Sequence, residues 1–344
     1  MKRNKGLVIG ILLSFVLLLL ATPARAQVSL PHTETLPADT TIFASSSMTE
    51  LLRMSFNLQA GESAQVTGKG VAKNVLSVEV LQAARVECIK STASWGTAEY
   101  INSTRNNLGV NEASQYVDGL PLEARYIYTA PTVSTYTCRL TVRIDRGNWG
   151  TIPPDQQKMD FLHDVTYLKV VSIGDGNSRW GTDYDTYAPG FSETYLTPTN
   201  ASQNILNSQP WTADRATATI NAYSDVELTS CKNGTSSCPS QFYGTSTTAS
   251  VTTQLVVEQL DANDQTCATI STTPKTYTIT NDIHHLKNYN YLAVPVTTTA
   301  TCLARYRSHV AATWNSGNPV KIEPGDFIGG PKFTGYSVAW FSNQ

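Results

Sequence analysis

The chain is short of charge. Lys, Arg, Asp and Glu supply 15% of its 344 residues, against ~25% in an ordinary globular domain, and no cluster of Lys or Arg follows residue 26. Without a basic stripe to neutralise phosphates, nucleic acid is excluded as a partner class. Ser, Thr and Asn fill the polar positions instead, as on the hydroxyl-rich surfaces of extracellular β proteins. Long apolar runs are also missing beyond the N-terminal segment, which removes later membrane-spanning helices from consideration. Helical periodicity is missing as well, with a weak trace only from Asp155 to Leu162.

Catalytic signatures are equally scarce. The nearest approach to a G-x-S-x-G elbow, Gly335-Tyr336-Ser337-Val338-Ala339, lacks the final Gly and alternates like a strand. There is no H-E-x-x-H and no P-loop. The cysteines show no C-x-x-C spacing, which argues against a zinc site. His284-His285 beside Asp282, with His309 downstream, is the one imidazole cluster, but neighbours on a strand face opposite ways and cannot converge on one ion. No enzyme and no resident cofactor are expected.

What is present begins at the N-terminus. Lys2, Arg3 and Lys5 precede an apolar run from Leu7 to Ala21, followed by Pro23 and Ala24-Arg25-Ala26. A basic start, a short hydrophobic core and an A-x-A site predict a signal peptide over residues 1–26. Its loss removes four basic residues (Lys2, Arg3, Lys5, Arg25) and no acidic one, taking the formal charge from −2 to −6. The expected location is secreted or at the cell surface, with no transmembrane segment in the remaining chain.

The richest signal is an internal repeat. Pro131 to Arg143 (P-T-V-S-T-Y-T-C-R-L-T-V-R) shares its skeleton with Pro295 to Arg307: Pro seven residues before Cys, Thr three and one before it, Arg five after. Upstream, Val78-Glu79-Val80-Leu81-Gln82-Ala83 leads to Cys88 as Val257-Glu258-Gln259-Leu260-Asp261-Ala262 leads to Cys267. An even set of six cysteines in an exported chain implies disulfides. The repeat selects Cys88 with Cys138 and Cys267 with Cys302, leaving Cys231 and Cys238 to staple a local loop. Alternating apolar and polar residues predict strands over 51–58, 75–81, 85–89, 124–128, 136–144 and 165–171. Residues 91–120 read as a long loop or an irregular edge.

Many short strands between turn residues predict an all-β chain of two tandem, related antiparallel β-sandwiches. The expected division is module one over 27–173, a linker or edge over 174–210, and module two over 211–344. Tyr136, two residues before Cys138 and about 50 after Cys88, resembles the tyrosine corner of immunoglobulin-type sandwiches. That resemblance implies an immunoglobulin-like fold for each module.

Two candidate sites fall together after module one. Asp175, Asn177, Asp183 and Asp185 offer oxygen ligands in a Gly-rich stretch, which Ca²⁺ would accept; the same residues also suit turns that bond their own backbone. Trp180, Tyr184 and Tyr187 suggest a sugar-stacking platform or packing between modules. Sequons stand at Asn102, Asn200 and Asn233. The expected function is an exported, non-enzymatic structural, adhesive or self-assembling surface protein. The alternative is a lectin-like protein binding glycan or calcium through residues 175–195.

Overall fold

The computed structural model describes residues 27–72, 76, 80–95, 100–108, 120–145, 150–182, 194–213, 216–234, 238–280, 285–322 and 335–341. They form an all-β molecule whose sheets are antiparallel apart from one short parallel pair, residues 27–28 against 55–56. Its first half contains β1 (Gln27–Val28), β2 (His32–Thr35), β3 (Thr40–Phe43), β4 (Thr49–Leu58), β5 (Glu62–Ala72), β6 (Val80–Lys90), β7 (Tyr100–Leu108), β8 (Leu120–Thr129), β9 (Ser134–Asp145), β10 (Lys158–Phe161) and β11 (Tyr167–Thr182). The second contains β12 (Thr194–Leu196), β13 (Ser202–Ile205), β14 (Trp211–Thr212), β15 (Thr217–Ser230), β16 (Thr248–Leu260), β17 (Thr266–Ser271), β18 (Lys275–Thr280), β19 (His285–Thr297), β20 (Arg305–Gly317), β21 (Val320–Ile322) and β22 (Gly335–Phe341). No helix among the described residues is long and apolar enough to cross a membrane.

Strand pairing in the first half is nested. β3 pairs with β10, β4 with β9, β5 with β8 and β6 with β7. The second half repeats the nesting, with β12 on β21, β13 and β14 on β20, β15 on β19, and β16 on β17 and β18. Pairing first with last, in order, is what a long hairpin gives when it rolls up into two facing sheets, so each half is a jelly roll. This corrects the immunoglobulin-like expectation while keeping the sandwich. The bridge makes the same point: Cys88 and Cys138 stand opposite one another on adjacent strands β6 and β9 of one sheet, whereas the immunoglobulin bridge joins two sheets. Tyr136 is 1% exposed and lies mid-sheet between Phe56 and Lys90, not at a corner. Both folds present short alternating strands between turns, and periodicity carries no information about which strand pairs with which.

Alternation places the cores. On β4, Leu52, Met54, Phe56 and Leu58 are buried, and on β9 Tyr136, Cys138, Leu140, Val142 and Ile144. Each large apolar side chain removed from water contributes about 1.5–3 kcal/mol. One cluster runs from Leu36 to Val170 and a second from Leu196 to Ile322. Gly68 on β5 sets the sheet spacing in the first: a Cβ there would stand 2.2 Å from Val86 Cγ2. In the second core, a polar knot crosses between the sheets. Thr253 Oγ1 donates to Asn288 Oδ1 (3.2 Å) and Asn290 Nδ2 donates to Thr253 Oγ1 (3.3 Å).

Of the stretch expected as linker or edge, residues 174–182 belong to β11, and β12 and β13 follow. β11 runs through residues 174–182 without a break in strand: Tyr167–Asp175 pair with Lys69–Glu62 of β5, and Gly176–Thr182 pair with Phe341–Gly335 of β22. β22 in turn pairs with β15. The glycines that read as turn signals sit inside this ladder, and one shift of register falls between Ser172 and Gly174. β11 is therefore the last strand of one jelly roll and the first of the next, and it fuses two sheets into one of eleven strands. Tyr289 accepts a hydrogen bond at its hydroxyl from the Glu123 N–H (2.8 Å), a further tie between halves.

Other differences are local. Residues 100–108, within the stretch expected as a long loop or an irregular edge, form β7 against β6, at the end of its sheet; an edge strand has one neighbour and needs little apolar alternation. The trace of helix from Asp155 to Leu162 is a 3₁₀ turn at Pro154–Gln156 followed by β10. Cys267 lies on β17, whereas Cys88 lies on β6, so the two are not topological equivalents. Cys267 still bridges to Cys302, and Cys231 to Cys238.

Two outcomes follow for stability. Replacing Cys88 and Cys138 by Ala should cost about 4 kcal/mol in guanidinium unfolding, and the Cys231/Cys238 pair about 2, by the loop-entropy relation. Ser178→Pro should remove a ladder bond between β11 and β22 and split one calorimetric transition into two; retention of a single transition would show that β11 does not couple the halves.

Candidate functional site

Asp175, Asn177 and Trp180 lie on β11, opposite Glu62, Trp340 and Ser337. Asp183, Tyr184, Asp185 and Tyr187 lie outside the described residues, as does His284. Among the described residues no group of His, Cys, Asp and Glu is arranged to hold a metal ion. Asn102 is on β7, while Asn200 and Asn233 are exposed in turns.

A different pair of positions proves informative. β6 pairs with β9 as β16 pairs with β20, and in each ladder a Glu on the first strand faces an Arg on the second: Glu87 with Arg139 and Glu258 with Arg307. Inward residues alternate with these (Val86, Cys88, Leu140; Val257, Val310), so both ion pairs lie on outer faces.

In the first half the pair is covered. Arg139 Nε donates to Glu87 Oε2 (2.6 Å), and Arg85 Nη1 donates to Glu87 Oε1 (3.2 Å). Arg53, opposite Arg139, donates to Glu50 (2.5 Å). The Trp95 ring lies 4.0 Å from the Arg139 guanidinium and 5.4 Å from that of Arg53, a cation–π arrangement that closes the surface.

In the second half the equivalent pair opens into a groove. Arg307 Nε donates to Glu258 Oε2 (2.7 Å) and its Nη2 to Thr266 Oγ1 (3.3 Å). Instead of an aromatic lid, the segment between β13 and β14 and the outer face of β16 and β20 line a cavity of about 390 Å³. Its lining is Asn204, Asn207, Ser208, Gln209, Pro210, Glu258, Arg307 and His309.

The overhang is fixed at its base. Leu206 is 1% exposed and adopts φ 53°, a left-handed conformation that costs an L-residue about 1–2 kcal/mol. Its burial in the core and the Ser208–Ser308 contacts hold it there: Ser208 N–H donates to the Ser308 carbonyl, and Ser308 N–H to Ser208 Oγ, each 2.8 Å. Asn207 Nδ2 donates to the Asn204 carbonyl (2.9 Å), and Asn207 lines the cavity.

His309, opposite Val256 on β16, is half-buried beside the ion pair. Burial pushes its imidazole below the ordinary value; Glu258 opposes this and Arg307 adds to it. Neutral at neutral pH, the ring offers one donor and one acceptor. The groove thus collects amides, a hydroxyl, an imidazole and a neutralised ion pair. Sequence reading noted His309 only as a neighbour in chain order of His284-His285. The available signal was the Glu/Arg register, visible only once the strands are paired.

No protein-family model and no curated protein sequence matches the chain. Among solved structures it is similar to the N-terminal CBM22-1-CBM22-2 tandem domain of Paenibacillus barcinonensis Xyn10C, at 8% identity and TM-score 0.24 over 92% of this chain and 99% of that one. It is also similar to the infectious bursal disease virus Gx strain structure, at 7% identity and TM-score 0.25 over 93% and 81%. The fold assignment rests on the strand order given above.

The groove predicts a pH signature. A histidine whose folded pKa is depressed favours unfolding when it protonates. Its effect is absent above the unfolded value of about 6.5 and grows as pH falls from there toward the folded pKa. His163 has the opposite sign: its bond to Asp39 raises its pKa, so that contribution is present below the unfolded value and lost as pH rises through the folded one. Urea titrations between pH 5 and 7.5 should show the acid-side loss shrink in His309→Gln and persist in His163→Gln.

Proposed function

We propose that this is an exported, non-enzymatic protein of the cell surface, with a structural or adhesive role and the capacity to assemble with copies of itself. The observation that carries this reading is β11. By serving two jelly rolls at once it makes their adjoining sheets continuous, a construction that transmits load through backbone hydrogen bonds rather than through a flexible tether. Disulfides within each half support it, since they limit local opening and persist in oxidising compartments. So does the low charge, which weakens repulsion between neighbouring copies. Polar edge strands such as β7 and β17 offer ladder groups to a partner.

A second reading, carbohydrate binding, is favoured by one observation, the open groove at Arg307 and His309. It moves the expected site away from residues 175–195, whose described residues, 175–182 and 194–195, are engaged in ladders.

Assembly is tested on residues 27–344 by light scattering after size exclusion over a hundredfold concentration range, with negative-stain microscopy of the same samples. Mass should rise with concentration and ordered assemblies should appear. A monomer of constant mass at every concentration overturns the self-assembly proposal.

A further inference from the structure

We infer that the groove between β20 and the 206–210 overhang is a binding site for a neutral, polyhydroxylated ligand, a saccharide. This rests on the carbohydrate-binding reading and assigns it a place and a charge class. The comparison between halves comes first. The same Glu–Arg pair occupies the same ladder position twice, and one copy is sealed by Trp95 while the other fronts a cavity of about 390 Å³, within the ~300–1,000 Å³ range of small-molecule sites. A sealed pair serves the sheet; the open one leaves hydrogen-bonding groups facing solvent.

The lining then decides the ligand class. An anion finds no free cation, because Glu258 already takes two guanidinium nitrogens of Arg307, each at 2.7 Å. A cation meets the converse, a carboxylate already committed. An apolar ligand finds little beyond Pro210, and would strand the amides without partners. Paired donors and acceptors of uncharged hydroxyls remain: the Asn207 and Gln209 amides, the Ser208 hydroxyl and the neutral imidazole of His309, whose ring has no hydrogen-bond partner among the described residues. Planar amides and a charge-balanced carboxylate–guanidinium pair match adjacent ring hydroxyls, which donate and accept at once. The walls are preorganised by the β13–β20 ladder and the Ser208–Ser308 bonds, so little ordering cost opposes binding.

The test uses residues 27–344 with neutral xylo-, cello-, manno- and galacto-oligosaccharides and, as comparison, oligogalacturonate. Binding is read by calorimetry and by side-chain NMR of His309. At least one neutral series should bind and shift the His309 resonances, with oligogalacturonate weaker. His309→Ala and Gln209→Ala, at exposed or half-buried positions outside the core, should each weaken binding by about tenfold, near the contribution of one hydrogen bond. Undiminished binding in both variants would overturn the groove while leaving carbohydrate binding in place elsewhere on the chain. Preference for oligogalacturonate would overturn the charge argument. Absence of binding to every member would overturn both the site and the carbohydrate reading, with the assembly measurement unaffected.

Discussion

Everything in this molecule depends on β11 satisfying its backbone along sixteen residues. A strand leaving a sandwich must either turn back or find a new neighbour, because unpaired N–H and C=O groups inside a protein cost far more than a made bond returns. Here the new neighbour is β22, the closing strand of the second half, which β15 holds on its other side. The glycines at 174, 176 and 181 fit that situation. Near the change of partner, at the shift of register after Ser172, they let the backbone adjust its twist without a Cβ to accommodate. In the first jelly roll, β2 lies beside β11; in the second, the distal part of β11 takes the place of β2. Duplication thus reuses one strand in two roles.

The halves solve the same packing problem differently. The first brings its sheets together over Gly68 and locks β6 to β9 with Cys88–Cys138. The second has Gln259 opposite Tyr306 in its corresponding ladder, with its bridge displaced to Cys267–Cys302. It also carries Thr253, Asn288 and Asn290 in its core. Buried polar groups stabilise little in net terms, but they must find each other, and a slip of β16 or β19 by one residue would separate them. We regard the knot as a device that selects register in a half whose strands are rich in Thr and therefore weakly patterned.

How much of this was legible from the chain alone depends on which physical signal carries it. Strand positions were readable where one face is dry: β4, β9 and the middle of β6 announce themselves through Leu52, Met54, Phe56, Leu140 and Val86. The disulfide partners were readable through the repeat. β7 was less plain, because Y-I-N-S-T-R-N-N-L shows no apolar alternation to tell an edge strand from a loop. Topology was not readable, because nested and immunoglobulin-type pairing impose the same alternation. The repeat register was misread for a related reason: aligning on cysteine equated Cys88 with Cys267, whereas the ladders equate Glu87 with Glu258 and Arg139 with Arg307. The groove was invisible, since its residues come from the 204–210 segment, β16 and β20 and meet only after the sheet forms.

That re-alignment is what gives the groove its meaning. A lone ion pair on a sheet surface contributes little, about 0–1 kcal/mol, and its presence at equivalent ladder positions twice says only that both sheets tolerate it there. What separates the copies is the neighbour. Trp95 packs over Arg139 and takes that position out of contact with ligands. Beside Arg307 runs a segment that carries a buried Leu206 in a left-handed conformation, which costs an L-residue about 1–2 kcal/mol. Strain of that kind persists when surrounding contacts over-determine it, and it clusters where geometry matters to function. The segment between β13 and β14 is tied to β20 through Ser208 and Ser308, and the residues around that tie line the cavity. Apart from Pro210, the side chains that line the cavity beside it are uncharged or charge-balanced hydrogen-bonding groups.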